Sequence, residues 1–403
     1  MQNTPRGSKK HIAIYGKTNS GKSTLLNAII GQEISIVSDI KGTTTDPVIK
    51  SMELIPFGPV VFIDTAGLND DSELGNLRVS KTLKILQRTD FAIYVLDGSD
   101  VDLKSYHKAI KKFKKYNIPF LTVVNKIDCV NKDALDAFTQ KLDNPLTVSA
   151  LHQENILRLK EEIINRLQEK ETDPPIIGDL IPYGGNVVMV VPIDSEAPKG
   201  RLILPQVQVL RDCLDHGIKC HVVRDTELAE SLQEIQNIDL VITDSQAFGK
   251  VTQIIPEDMN LTSFSVLYAR YKGDLQIFIE GLEKLKEMNS ESKILISESC
   301  THNHSHEDIG RVKIPNLIRK HIDENIKFDF KMGSDFPENM DSYDLVIHCG
   351  SCMLNKKTMT NRIKHCLEKN ISITNYGIVL AYFTGAFPRC VEFFNLKSPA
   401  KNL

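Results

Sequence analysis

The sequence predicts an α/β protein: a P-loop domain followed by two related parallel α/β domains. Three observations carry that expectation. A G-x-x-x-x-G-K-S segment stands between an apolar strand and an apolar-periodic helix. After residue 185 one strand–helix–strand–strand order occurs twice. The length, 403 residues, is enough for two or three domains, at roughly 150 residues each.

Composition narrows the class. Apolar residues make up 41% and charged residues 25%, as in ordinary soluble globular proteins. A net charge of −3 and a pI near 6.4 give no general reason to expect nucleic-acid binding. The Lys-rich KKFKKY at 111–116 reads as the solvated face of a helix. No run of about 18 apolar residues exists, so no membrane span is expected. The opening MQNTPRGSKK lacks the apolar core of a secretory signal. Eight cysteines are too sparse for a disulfide scaffold. A cytoplasmic setting follows as the expectation, with cysteines as free thiols or ligands.

The first domain is read as 1–170. HIAIY at 11–15 is a strand, GKTNSGKST at 16–24 the loop, and LLNAII the start of a helix. Gly16 and Gly21 let backbone N–H groups wrap phosphates, with Asn19, Ser20 and Thr24 in the same wrap. Lys22 reaches the β and γ oxygens, and the Ser23 hydroxyl is placed for Mg²⁺. GTTTD at 42–46 offers Thr44 as a second hydroxyl for Mg²⁺, with Thr43 and Thr45 as alternatives. DTAG at 64–67 follows a strand; Asp64 would hold Mg²⁺ through water and the Gly67 N–H would meet the γ-phosphate. Lys22, Thr44 and Gly67 are therefore the catalytic candidates. In NKID at 125–128, Asn125 and Lys126 precede Asp128, whose carboxylate can accept from both N1–H and N2–H₂ of guanine. Ser149 and Ala150, in SAL, would bring a backbone N–H to guanine O6. GTP and Mg²⁺ are the implied ligands.

With these five motifs in order, residues 11–165 resemble a Ras-like GTPase domain of the TrmE–Era–Era-like branch. Two departures from Ras matter. Leu68 follows DTAG where Ras-type enzymes carry a water-orienting glutamine, and an apolar side chain cannot do that work. Asn19 stands where related cation-activated GTPases bind K⁺ beside the phosphates, which would supply charge in place of an arginine finger. The alternative for Asn19 is a loop-turn residue only.

EKETDPPIIGDLIPYGG at 169–185 is rich in Pro, Gly and acid and reads as a linker. The second domain, 171–275, follows with NVVMVVPID as a buried strand, PQVQVLRDCLDHG as a helix begun by Pro and stopped by Gly, and KCHVVRD and IDLVITD as strands. The third domain, 276–403, repeats the order with KILISES, IPNLIRKHI, FDFKM and YDLVIHC. DLVITDSQ at 239–246 parallels DLVIHCGS at 344–351. Where the copies differ, the second carries SESCTHNHSHED and HCGSCM just past two strand ends. Parallel sheets place ligand sites there, so Cys300, Cys349 and Cys352 are expected to converge. The pair Cys349-x-x-Cys352 suits zinc, a redox dithiol or an iron–sulfur cluster. The residues alone leave zinc and cluster open. Cys129, Cys213, Cys220, Cys366 and Cys390 lack comparable spacing.

C-x-H followed by H-C-x-x-C, behind a GTPase domain and an α/β middle domain, resembles the [FeFe]-hydrogenase maturation GTPases, the HydF family, over essentially the whole chain. The resemblance implies a [4Fe–4S] cluster on Cys300, Cys349 and Cys352. It implies a scaffold or carrier for the diiron precursor of the hydrogenase active site. It further implies a dimerisation role for the middle domain, in a homodimer or a tetramer. The partners implied are the radical-SAM maturases HydE and HydG and the apo-[FeFe]-hydrogenase, with no nucleic acid and no membrane. His302 and His348 match the family pattern for a fourth iron ligand, and Glu307 is a further candidate; His304 and His306 read as solvated loop residues. The chain has no C-x3-C-x2-C, so it is not itself a radical-SAM enzyme. The competing reading is a zinc-binding regulatory GTPase acting on RNA or ribosomes.

Overall fold

The computed structural model describes residues 7, 9–31, 48–65, 84–169, 174–193, 200, 202–299, 308–333 and 335–394. The chain divides into two compact units, Met1–Thr172 and Asp173–Leu403.

The first unit is built on six strands: β1 (Lys10–Gly16), β2 (Val48–Leu54), β3 (Gly58–Asp64), β4 (Phe91–Asp97), β5 (Phe120–Asn125) and β6 (Leu146–Thr147). Their order is β2-β3-β1-β4-β5-β6, parallel except for the β2–β3 pair. Strands β1 and β4 are buried almost throughout, as sheets covered on both faces require. Side chains alternate between the two faces. Ile12 and Ile14 pack with the helices Lys22–Ile30 and Ile156–Gln168. Ala13 and Tyr15 pack with the helix Leu103–Lys115. On that last helix Phe113 is buried while Lys111, Lys114 and Lys115 are exposed, so the basic run is a solvated face as expected.

The second unit holds two four-stranded parallel sheets. The first comprises β7 (Asn186–Val190), β8 (Lys219–Val223), β9 (Ile238–Thr243) and β10 (Leu261–Ser263), in the order β10-β9-β7-β8. The second comprises β11 (Lys293–Glu298), β12 (Lys327–Met332), β13 (Leu345–His348) and β14 (Ser372–Asn375), in the order β12-β11-β13-β14. Read from opposite edges, the two orders are the same. The internal repeat seen in the sequence is thus a repeat of topology.

The two halves are interlocked. Helix Leu275–Lys286 packs on β14, where Gly281 is needed because a Cβ there would meet the Ile373 carbonyl oxygen at 2.0 Å. Helix Phe387–Glu392 packs on β10, and Arg389 donates to the carbonyls of Pro256 and Met259. One apolar core runs through both halves, from Val188 and Val241 to Ile296 and Ile347.

One expectation is corrected. Residues 174–185 are not a free linker. Ile176, Ile177 and Ile181 are buried against Val187, Met189 and Val209. The backbone N–H groups of Ile177 and Gly178 both donate to Asp212 Oδ2, at 2.8 and 2.9 Å. Pro and Gly mark a departure from helix, but three isoleucines among them pack the segment onto the sheet. Among the described residues no helix is long and apolar enough to cross a membrane.

Candidate functional site

In the first unit the strand β1 ends at Gly16 and the helix begins at Lys22, so residues 17–21 turn back over the sheet edge. The turn needs unusual backbone. Gly21 lies at φ 86° and Asn19 at φ 65°, the left-handed region that Asn tolerates better than most side chains. A Cβ on Gly21 would stand 2.3 Å from Asn125 Nδ2. That amide donates to the Ser20 carbonyl at 3.1 Å, while its Oδ1 accepts from the Ala150 N–H at 3.0 Å. Asn125 therefore ties the loop, the end of β5 and the SAL segment together. Lys22 is buried, and its ammonium donates to the Gly16 and Lys17 carbonyls at 3.0 and 2.8 Å. Burial lowers its pKa, and Asp64 pulls the other way.

Ser23 Oγ donates to Asp64 Oδ2 at 2.5 Å. A hydroxyl and a carboxylate at one point are the hard oxygen donors that Mg²⁺ takes. Asp128 Oδ1 accepts from the buried Ser149 hydroxyl at 2.5 Å. Hydrogen bonds from Ser149 and then from Cys129 hold its carboxyl below the usual range. Lys126 donates to Asp97 Oδ2 at 2.6 Å, a contact that the motifs did not foretell. Thr24 lies on the exposed side of the helix's first turn. Thr43, Thr44, Thr45, Gly67 and Leu68 lie outside the described residues.

The second unit carries the cysteines. Cys349 and Cys352 line a cavity of about 200 Å³ between the halves. Its walls come from the C-terminal ends of both sheets: Asp244 and Gln246 after β9, Phe264 and Tyr268 after β10, Glu298 at the end of β11. The Ser299 N–H donates to Cys349 Sγ at 3.1 Å, and the Ser299 hydroxyl lies 3.0 Å from the same sulfur. Cys300, His302, His304, His306 and Glu307 lie outside the described residues. Gly310 is required at the wall: a Cβ there would stand 2.0 Å from the Tyr376 hydroxyl and 2.5 Å from Glu298 Oε1.

His348 is fully buried and does not line this cavity. Its Nδ1 donates to the Cys349 carbonyl at 2.9 Å. Its Nε2 accepts from Arg362 at 2.8 Å, and Arg362 also donates to the Gly333 carbonyl. Burial, then the Arg362 charge, lowers the His348 pKa to about 3. Both ring nitrogens are engaged, so His348 serves as a prop behind the cysteine loop; an iron-ligating nitrogen would have to be freed from one of these partners.

Two buried cations thus flank the cysteines, and sequence reading missed both. Lys272, 2% exposed, donates to the carbonyls of Ser351, Cys352 and Leu354 at 3.1, 3.2 and 2.7 Å. Each cation had a signal. Arg362 shares a helix face with the buried Met359, Ile363 and Cys366. Lys272 falls four residues after Tyr268 and eight after Phe264 on a buried face. A charge at an apolar spacing marks a position where something must meet it. Burial, then Cys349, pushes the Cys352 thiol up to about 11, and Lys272 opposes that rise. A thiolate there requires a positive partner, which a metal and Lys272 can both provide.

The order of strands and the phosphate loop define a P-loop GTPase domain. A family model described as a 50S ribosome-binding GTPase matches residues 11–126. The hydrogen maturase F dimerization domain matches 176–273 and the hydrogen maturase F tetramerization domain matches 276–393, together more than half of the chain. The chain belongs to the hydrogen maturase F family. Among curated relatives, GTPase Der of Wolinella succinogenes is 38% identical over 168 residues, 39% of this chain and 36% of that protein. The tRNA modification GTPase MnmE of Flavobacterium johnsoniae is 36% identical over 163 residues, 38% of this chain and 35% of that protein. The chain thus spans about a third of the length of these relatives. A crystal structure of Aquifex aeolicus Era bound to GDP and AlF4⁻ aligns at 23% identity, covering 53% of this chain and 92% of that one, with a TM-score of 0.35.

Proposed function

We propose that this chain is a GTP-hydrolysing scaffold in hydrogenase maturation. It would bind a [4Fe–4S] cluster, carry the diiron precursor as cargo and deliver it to the apo-[FeFe]-hydrogenase, working with HydE and HydG in the cytoplasm. Three working parts serve this: a GTPase part at 1–170, a dimerising part at 171–275 and a cluster-binding part at 276–403. The dimerization and tetramerization matches support an assembly of several chains.

The observation that carries the cluster reading is the contact of Ser299 with Cys349. Ser299 directly precedes Cys300 in the sequence, the third candidate thiolate. Cys349 and Cys352 share one wall of the cavity. Three thiolates in such a place would leave one iron for a replaceable ligand, for which His302, His348 and Glu307 stand as candidates. When bound, the cluster supplies an iron site at which an incoming cyanide or thiolate can displace a weaker donor. To serve, His348 would have to give up Arg362 or the Cys349 carbonyl, which hold its ring.

For GTP, Asp128 would select guanine, Lys22 would draw charge from the phosphates, and Ser23 with Thr44 would hold Mg²⁺, Asp64 acting through water. The Gly67 N–H would meet the γ-phosphate. K⁺ at Asn19 would add the charge that Leu68 cannot help to organise. Equal turnover in K⁺ and in Na⁺ would remove potassium from the scheme.

The experiment for the whole proposal is anaerobic reconstitution followed by iron, sulfide and zinc analysis. About four iron per chain supports it; about one zinc instead supports the regulatory GTPase reading. Precursor transfer by Lys22→Ala then shows where GTP acts. Unimpaired transfer would place GTP in partner exchange and not in the handover.

A further inference from the structure

We propose that Lys272 is a positioning residue for the cysteine loop, holding Cys352 toward the cavity and placing its ammonium group beneath the turn that carries Cys349 and Cys352. The inference deepens the cluster reading above and rests on it for the cluster potential only.

The geometry is specific. Residues 349–355 leave β13, turn at Ser351, which lies at φ 56°, and enter the helix Lys356–Glu368. Within the turn the Leu354 N–H donates to the Ser351 carbonyl at 3.2 Å and the Ser351 hydroxyl to the Cys349 carbonyl at 3.3 Å. Below it, three carbonyls converge on one ammonium group: Ser351, Cys352 and Leu354. An ammonium has three N–H donors, and these three acceptors match it one for one. The planar fork of a guanidinium would not meet three oxygens grouped in this way.

The lysine also comes from the other α/β half. Helix Phe264–Lys272 starts at the end of β10, and its first turns, with Phe264 and Tyr268, line the same cavity. Its last residue then passes under the loop, 5.2 Å from the centre of the Tyr268 ring. The cysteine loop is thereby fastened to the half that matches the dimerization domain. The Lys272 ammonium lies 3.2 Å from the Cys352 carbonyl. A positive charge there favours the reduced, more negative state of a thiolate-bound cluster, raising its potential.

The test uses the full-length chain with Lys272→Met and Lys272→Arg. In the metal-free protein, amide hydrogen exchange across 349–355 should quicken about ten-fold in Lys272→Met, as the loop loses its tie. Lys272→Arg should fall between it and the wild type. GTP hydrolysis by the first unit should be unchanged in both. After anaerobic reconstitution, the cluster potential should move to a more negative value in Lys272→Met and return toward wild type in Lys272→Arg. Wild-type exchange and wild-type potential in Lys272→Met would overturn the proposal. A wild-type chain that takes up no iron and sulfide would instead overturn the cluster reading, and the exchange arm would still judge Lys272. If Lys272→Met does not fold, the Lys272→Arg chain decides alone: exchange at 349–355 no faster than wild type overturns the positioning role.

Discussion

The hydroxyl of Ser23, in the first turn of the P-loop helix, donates to the Asp64 carboxylate at the end of β3, 2.5 Å away. Two residues 41 positions apart are thereby brought into contact. Strands β1 and β3 are parallel neighbours, with Ile14 in register with Asp64. The pairing of strands sets the distance.

Ser23→Ala should therefore need more Mg²⁺ for half-maximal GTP turnover and lower the saturated rate about 100-fold. Turnover measured across a Mg²⁺ titration checks this. A variant with the wild-type curve would show that Asp64 alone holds the ion.

Asp128→Asn should weaken GTP by about 100-fold, because one carboxylate accepting two guanine N–H groups is lost. It should improve xanthosine triphosphate, whose C2 oxygen can accept from the new amide. Competition between the two nucleotides reads the outcome directly. No gain for the xanthine nucleotide would mean that Asp128 does not face the base edge.

Gly310→Ala should destabilise the second unit by about 1–3 kcal/mol. The added Cβ would meet the Tyr376 hydroxyl and Glu298, both on rigid elements. Thermal unfolding of the second unit is the measure. Retained stability would show that helix Tyr376–Phe383 gives way easily.

Ile177→Ala should cost about 2–5 kcal/mol. Ile177 is fully buried in the core beside Val187 and Met189. A true linker residue would tolerate the change within about 0.5 kcal/mol, so denaturant unfolding separates the two descriptions of residues 174–185.

Much of this was legible in the chain itself. The P-loop, the NKID segment and the repeated strand–helix order rest on local patterns: spacing of glycines, apolar alternation, and caps such as Gly31 at φ 74°. Local backbone preference and side-chain period determine such features without reference to distant residues. The segment 169–185 misled because Pro and Gly report only on local backbone. Its burial depends on Asp212 and on a sheet formed later in the chain.

What the sequence by itself determined is therefore the class of the first domain: a P-loop GTPase followed by a repeated parallel α/β unit. The tertiary structure alone decided what surrounds the cysteines. It placed Lys272 under Ser351 and Cys352, 79 and 80 residues further on, and set Arg362 against His348. Contacts of that kind arise when two halves close on a common core. They leave in the chain only the trace of a charge where the period calls for an apolar side chain.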